Sequence, residues 1–119
     1  MDLLGSPGQL LLRLLSSTEE RARVVAGNIA NQNTPGYKRR EFQFEELLAE
    51  EIDKGKTKLS HVQPRTLVDR ESDARGDGNN VVIEQEVASL RESALRYDMY
   101  AAILRSRVSM VQSAIQGDR

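Results

Sequence analysis

The chain has 119 residues, enough for at most one ordinary domain. Its 17 basic and 18 acidic residues nearly balance, which argues against a general nucleic-acid-binding protein. It has no cysteine, so disulfides and thiolate metal sites are excluded, and no apolar run approaches the length of a membrane span. With two Phe, three Tyr and no Trp, a compact core would be thin, and we expect the apolar side chains to lie along helices.

The N-terminal region predicts a flexible lead-in over residues 1–8 and a helix over residues 9–33. Ser6 and Pro7 form a suitable start, because proline is tolerated at the first helical position. Apolar residues then recur at alternating steps of four and three, with one polar member at Thr18, as in a helix packed along one side against another. The apolar members of this seam are Leu11, Leu15, Ala22, Val25 and Ile29. Further leucines surround the first half of the helix, so we expect neighbouring subunits to cover it on several sides.

A turn, a short helix and a connector are predicted over residues 34–80. The residues Thr34-Pro35-Gly36-Tyr37 place proline and glycine where a type II turn requires them. Residues 42–53 have apolar side chains at helical spacing and predict a short amphipathic helix with a solvated acidic face. The polar residues 55–80 leave two readings open: an extended pair around 57–60 and 65–69, or a mobile connector.

The last third of the chain, residues 81–116, predicts one long helix with a second heptad seam that begins at Ile83. No charged residue, proline or glycine interrupts the seam. Its further members are Val87, Leu90, Ala94, Tyr97, Ala101, Leu104, Val108, Val111 and Ile115. Such a helix is about 50 Å long. We expect it to form weakly alone and firmly in a bundle or assembly, because ordering it costs more than its half-covered seam contributes.

Residues that could carry chemistry do not form a recognisable catalytic or metal-binding pattern. The only histidine, His61, has no obvious catalytic partners nearby in sequence. Asp73, Asp77 and Glu84 match part of a calcium loop, but Arg75 stands where a ligand oxygen is needed. There is no phosphate-binding glycine loop and no nucleophile elbow. We therefore predict no enzyme activity, no metal site and no cofactor.

Two segments carry a resemblance to a known family. Residues 28–37 (NIANQNTPGY) closely resemble the N-terminal signature of bacterial flagellar rod and hook proteins. Residues 78–86 (GNNVVIEQE) and 94–97 (ALRY), together with the small size, resemble the B-type proximal-rod subunits of that family, with the C-type subunits as the near alternative. The signature residues of the turn are Asn28, Asn31, Asn33, Thr34, Pro35, Gly36 and Tyr37.

The resemblance implies a mainly α-helical fold, in which the two long terminal helices pair as a coiled-coil hairpin around an irregular middle segment that could be partly β. It implies a structural subunit of the flagellar basal-body rod, which spans the periplasm and assembles through these helices. The implied partners are other copies and other proximal-rod proteins, the rod–ring adapter and the flagellar type III export gate. Asp2 and Arg13 argue against a cleavable signal peptide, and the resemblance implies export without one.

The resemblance leaves three questions open. Val82 stands where B-type subunits usually have an acidic or hydroxyl helix cap, so we expect Asn79 or Asn80 to supply the cap. The asparagines of the turn could cap it or contact a neighbouring subunit. The alternative function is a cytoplasmic coiled-coil adaptor or export chaperone, which would share the seams but would have no reason to carry the Asn-Thr-Pro-Gly-Tyr turn.

Overall fold

The computed structural model describes residues 7–56 and 58–117, so most of the predicted lead-in lies outside the described residues. In chain order the elements are α1 (Pro7–Ala30), β1 (Arg40–Gln43), α2 (Glu45–Asp53), β2 (Arg65–Val68) and α3 (Ile83–Gln116). The fold is mainly helical with two long terminal helices, as the sequence predicts. The molecule is elongated, with extents of 66 × 31 × 15 Å.

The two long helices pack against each other in an antiparallel arrangement. The end of α1 lies beside the start of α3, where Asn28 contacts Glu86, and farther along Ala22 lies near Ser93. Since α1 has 24 residues and α3 has 34, the last helix extends beyond its partner. Residues 105–117 are all exposed, and we refer to this end of α3 as the α3 overhang.

The middle segment supplies the hydrophobic core and packs it against the first helix. Its buried members are Phe42, Phe44, Leu48, Leu59 and Val62, and they contact Leu10, Leu14, Val24 and Leu47. The leucine-rich start of α1 is therefore covered partly by its own chain. Phe42 and Phe44 provide this cover, since Leu10 and Leu14 pack against the core to which they belong.

A two-stranded antiparallel sheet joins the two halves of the middle segment, with Arg40 opposite Val68 and Gln43 opposite Arg65. The predicted extended segment near residue 65 is thus the strand Arg65–Val68, but residues 58–60, the described part of its predicted partner, form no strand. The residues around Phe42 pair with it instead, because alternation of buried Phe42, half-buried Gln43 and buried Phe44 is the period of a strand. The short helix accordingly begins at Glu45 rather than at residue 42.

Candidate functional site, the signature junction

The two signature segments, far apart in sequence, meet where α1 ends and α3 begins. Asn28 and Asn79 are completely buried there, and Asn80 and Glu86 are each 2% exposed. Together with Arg39 they form the signature junction. Buried polar groups are tolerated only when their hydrogen bonds are satisfied, so the partners of each side chain decide what this site does.

Asn28 uses its whole side-chain amide to join three parts of the chain. Its Nδ2 donates to Glu86 Oε1 at 2.8 Å and to the Arg40 carbonyl at 2.9 Å. Its Oδ1 accepts from the Arg40 backbone N–H at 2.9 Å and from the Tyr37 hydroxyl at 3.0 Å. Asn28 therefore ties the end of α1 to β1, to the turn and to the first turn of α3.

The buried Glu86 carboxylate forms an ion pair with Arg39, whose side chain is partly exposed. Arg39 Nε donates to Glu86 Oε2 at 2.9 Å, and Arg39 Nη1 donates to Asp69 Oδ2 at 2.9 Å. Burial alone would lower the pKa of Arg39, but the hydrogen bonds to the two carboxylates outweigh burial and raise it. Hydrogen bonds from Ser72 and from Arg39 hold the pKa of Asp69 well below its usual range. The guanidinium is thus a permanent cation between two carboxylates.

The other two asparagines bind backbone groups across the junction. Asn79 Nδ2 donates to the carbonyls of Asn31 and Thr34, both at 2.9 Å, and so closes the signature turn. Asn80 Oδ1 accepts from the Arg39 N–H at 2.7 Å, and its Nδ2 donates to the Asp69 carbonyl at 2.8 Å.

The expected cap of the last helix is wrong. The N-cap residue of α3 is Val82, which makes no side-chain cap hydrogen bond. Asn79 and Asn80 are both committed to the junction, and the nearest side-chain bond is from the Val81 N–H to Asn79 Oδ1 at 2.8 Å. The acidic side chains of Glu84 and Glu86 lie in the first turn, where they interact favourably with the positive end of the helix dipole and so stabilise the start of α3.

The signature turn has the predicted type II conformation. The Tyr37 N–H donates to the Thr34 carbonyl at 3.2 Å, and Gly36 has a φ of 75°. Gly36 also donates its N–H to the Asp77 carbonyl at 2.8 Å, which places it against Gly78. A Cβ on Gly78 would lie 3.3 Å from Gly36 Cα, so the close approach of the two chain segments requires a glycine at position 78.

The asparagines of the signature turn differ in their contacts. Asn31 Nδ2 donates to the Gly27 carbonyl at 2.8 Å, and its Oδ1 accepts from the Thr34 hydroxyl at 3.1 Å. Asn28 and Asn31 therefore bind within the chain. Asn33 is exposed, as are Thr34 and Pro35 at the tip of the turn.

A second polar cluster, the Glu45 clamp, holds the middle segment against both long helices. Glu45 Oε1 accepts from Arg96 Nη1 at 2.6 Å and lies 3.4 Å from Arg21 Nη2, and Glu45 Oε2 accepts from the Tyr100 hydroxyl. Burial together with the hydrogen bond to Glu45 raises the pKa of Tyr100 to about 12. Burial would lower the pKa of Arg96, but the attraction of Glu45 and Glu92 outweighs burial and raises it. Helix α2 thus links α1 and α3 through one carboxylate.

The predicted seam residues lie in three environments. Leu11 and Val25 are buried in the single chain. The half-buried members are Leu15, Ala22, Ile29, Val87, Leu90, Ala101 and Leu104. The exposed members are Ala94, Tyr97, Val108, Val111 and Ile115. The last three lie on the α3 overhang, where exposure rises from 49% at Val108 to 79% at Ile115.

Sequence reasoning missed the residues of α3 that the single chain buries most fully, which are Glu86, Ser93 and Tyr100. They recur every seven residues, one position before the predicted seam members Val87, Ala94 and Ala101. A hydrophobic pattern cannot identify a buried glutamate or serine. The one feature of the sequence that could have indicated their burial is the seven-residue spacing that Tyr100 shares with Glu86 and Ser93.

The described residues offer no group of three or more His, Asp or Glu side chains that could hold a metal ion. His61 Nε2 lies 3.2 Å from Glu51 Oε1 in an exposed pair, a neighbour that sequence reasoning did not identify. Within the described part of the chain, no helix is long and apolar enough to cross a membrane. The junction and the clamp are satisfied internally and hold the two long helices at a fixed relative position.

Comparisons with known proteins find similarity to one family. Residues 15–38, most of α1 and the turn after it, match the family described as flagella basal body rod protein. The chain is 33% identical to the flagellar basal body rod protein FlgB of Cereibacter sphaeroides over 84% of this chain and 86% of that protein. It is 30% identical to the protein of the same name from Aquifex aeolicus over 91% of each chain. It is 27% identical to that from Bacillus subtilis over the full length of both.

Proposed function

The chain belongs to the family of flagellar basal body rod proteins, and from that premise we propose that it builds the rod by packing α1 and α3 against the same helices of neighbouring subunits. It is a structural subunit of the basal-body rod rather than an enzyme, and it assembles with other rod proteins. The proposal concerns which surfaces make that assembly.

The observation that carries the proposal is the exposed apolar surface of the α3 overhang. Met110, Val111 and Ile115 are 66%, 56% and 79% exposed, although they lie on a helix whose earlier turns pack against α1. Contiguous exposed apolar surface of this kind marks interaction sites in soluble proteins. The predicted seam therefore continues past the end of the intramolecular contact, and we assign its remainder to contacts between subunits.

The signature junction supports the proposal by fixing the helix pair that the assembly uses. Its hydrogen bonds are made within the chain, so it needs no partner to be satisfied. A pair of helices held rigidly at one end can present its free end without a large additional loss of conformational entropy. In our proposal the junction orients the helices and the seam residues bind the neighbours.

We further propose specific partners and a specific location within the flagellum. Both rest on the family signature at residues 28–37. The other proximal-rod proteins, the rod–ring adapter and the membrane-embedded export gate are the proposed neighbours at the base of the rod. The proposed location is the periplasm-spanning part of the axial structure. The proposed route is the flagellar type III export apparatus, without cleavage of a signal peptide.

Assembly of paired variants tests the role of the overhang. Val108→Asp combined with Val111→Asp places two charges on its apolar face. Ser109→Asp combined with Ser113→Asp adds the same charge to the same exposed helix and serves as the matched control. Sedimentation of purified protein over a hundredfold concentration range should show large assemblies for the wild type and the control, and none for the valine variant. Equal assembly by both variants would overturn the proposal.

Circular dichroism at 222 nm on the same samples gives an independent measurement. If the ends of the helices become ordered on assembly, wild-type helicity should rise with concentration as large species form. The valine variant should keep its low-concentration signal throughout. Strong helicity at every concentration together with a constant monomer mass would mean a self-contained bundle and would contradict assembly through the helix ends.

A further inference from the structure

A shallow apolar groove of about 300 Å³ runs between α1 and α3 midway along the helix pair. Its apolar lining includes Ala22, Leu90, Ala94 and Tyr97. Ala94 and Tyr97 are exposed, and the small alanine side chains leave the groove open to an approaching helix. We refer to it as the α1–α3 groove.

One buried polar atom in the groove has no partner. Ser93 is 2% exposed and lines the groove, yet its Oγ makes no hydrogen bond. The neighbouring hydroxyl of Thr18, which is also buried, donates to the Leu15 carbonyl at 2.7 Å. An unsatisfied buried hydroxyl costs free energy that a polar group from outside the chain could recover.

The rim of the groove is acidic. Glu19 and Asp98 both border it, and both are exposed. Neither makes an ion pair with any residue in the described ranges, 7–56 and 58–117. The groove therefore suits an occupant that is apolar on one side and positively charged beside it.

The α3 overhang has this chemistry. Arg105 and Arg107 are the only charged residues between Met99 and Gln116. Both are exposed, and neither forms an ion pair within the part of the chain that the structure describes. The exposed apolar residues Val108 and Val111 follow within one to two turns of the helix.

The overhang cannot reach the groove of its own subunit. Ser93 and Val108 belong to one continuous helix, and the fifteen helical steps from one to the other correspond to about 22 Å along its axis. An overhang that occupies the groove must therefore belong to another subunit. A second copy carries a segment of the required charge and apolarity, and a contact between two different surfaces of identical subunits generates an open helical filament.

We propose that the α1–α3 groove of one subunit receives the α3 overhang of a second copy. In this contact the two arginines of the overhang face the two acids on the rim, and a polar side chain of the overhang pairs with Ser93. The proposal rests on the assembly function above and deepens it, because it names which surface of one subunit meets which surface of the next.

Charge exchange between the two surfaces tests the contact. A groove variant combines Glu19→Arg with Asp98→Arg, and an overhang variant combines Arg105→Glu with Arg107→Glu. Each variant alone meets its own copy with like charges, so the concentration needed for assembly should rise about tenfold or more. In an equimolar mixture every contact between unlike subunits has opposite charges. The mixture should assemble within about threefold of the wild-type concentration.

Two controls change the net charge equally at other exposed positions. Glu50→Arg with Asp53→Arg matches the groove variant, and Arg70→Glu with Arg91→Glu matches the overhang variant. Both controls should assemble at the wild-type concentration. Failure of the exchanged mixture, or equal loss in the controls, would overturn the proposed contact.

Disulfide cross-linking tests the same contact without altering charge, since the chain has no cysteine. A mixture of Ala94→Cys protein and Val111→Cys protein should form a cross-linked dimer under mild oxidation. A mixture of Ala88→Cys and Val111→Cys should not, because Ala88 is exposed on another face of α3. Equal cross-linking in both mixtures, or none in the first, would contradict the contact.

The outcomes separate this inference from the proposed function. If the wild type assembles but neither charge exchange nor cross-linking identifies the groove, the overhang binds elsewhere and only this contact is wrong. If the wild type forms no assembly at any concentration, self-assembly through the helices is wrong and this contact is wrong with it. If a different protein occupies the groove instead, both charge variants should assemble at the wild-type concentration. That result would overturn this contact.

Discussion

Asn28 Nδ2 and Glu86 Oε1 are 2.8 Å apart, although 58 residues separate them in sequence. Both side chains are almost completely buried. Together with the hydrogen bonds from Asn79 to the carbonyls of Asn31 and Thr34, it joins the two signature segments where α1 ends and α3 begins. A hydrogen bond between a buried amide and a buried carboxylate is worth more than a neutral pair, because the carboxylate has few other ways to be solvated.

Asn28→Ala should strongly destabilise the fold. It removes one partner of Glu86, leaves the Arg40 N–H without its side-chain acceptor, and opens a small cavity. We expect a loss of about 2–4 kcal/mol in the free energy of unfolding. Urea unfolding followed by circular dichroism measures it. Asn33→Ala, at the exposed end of the same turn, should change stability by less than about 0.5 kcal/mol and serves as the control.

Equal losses for Asn28→Ala and Asn33→Ala would mean that the turn, and not the junction, determines stability. A loss for Asn28→Ala below about 1 kcal/mol would show that water replaces the amide. Either result would contradict the role assigned to Asn28.

Glu86 and Arg39 should be energetically coupled. Glu86→Gln keeps the size of the side chain but removes the charge that faces the guanidinium, and Arg39→Gln removes the cation. Each single change leaves the other group buried without its full partner. The double variant should therefore be more stable than the sum of the single losses predicts, with a coupling of about 1.5–3 kcal/mol.

The same cycle applied to an exposed pair provides the comparison. Glu20 and Arg23 lie 2.8 Å apart on the surface of α1, with side chains 49% and 70% exposed. Their coupling should be below about 0.5 kcal/mol. If the two cycles give the same coupling, burial of Glu86 does not strengthen its interaction with Arg39.

Gly78→Ala should destabilise the junction more than Gly36→Ala. Both glycines have positive φ values, 87° and 75°, so an added Cβ strains the backbone in each case. Only at Gly78 would the Cβ also meet backbone, 3.3 Å from Gly36 Cα. We expect about 1 kcal/mol for Gly36→Ala and at least about twice that for Gly78→Ala, measured by urea unfolding. The reverse order would mean that the two turns are not in close contact.

The long helices and the turn could be predicted from the sequence, whereas the short strand β1 could not. Helical periodicity identified α1 and α3, because an apolar residue on every turn leaves few alternatives. Pro35 and Gly36 predicted the turn, because proline restricts φ to negative values near those of the first central position and glycine permits the positive φ of the second. The strand at Phe42 was missed, because the apolar residues after it also fit a helix and four residues are too few to decide.

The junction could not be predicted from periodicity, because its members resemble surface residues. Asn79, Asn80 and Glu86 are polar and lie in a polar stretch, so a hydrophobic pattern places them in solvent. Only the family resemblance singled out their segment, and it gave no geometry. Similarly, the pattern continues unchanged from Leu104 to Ile115, so it cannot show where intramolecular packing ends.

Tyr100 should make stability fall steeply at alkaline pH. Its pKa is raised to about 12 in the folded chain by burial and by Glu45, whereas an unfolded tyrosine has its ordinary pKa near 10. Since the folded state holds this proton more tightly, the contribution is complete below pH 10. It is lost as the pH rises from 10 to about 12, with a total of at most about 3 kcal/mol.

Tyr100→Phe isolates this effect. At neutral pH the variant should be less stable than the wild type, because the hydroxyl no longer donates to Glu45. Between pH 10 and 12 the difference should shrink, since the variant has no proton to lose at this position, while the remaining ionisations are common to both proteins. Urea unfolding at several pH values measures the difference. Tyr97→Phe, at a 41% exposed position on the same helix, serves as the control. If the Tyr100→Phe difference stays constant up to pH 12, the hydroxyl is not held by Glu45, and Arg96 alone links Glu45 to α3.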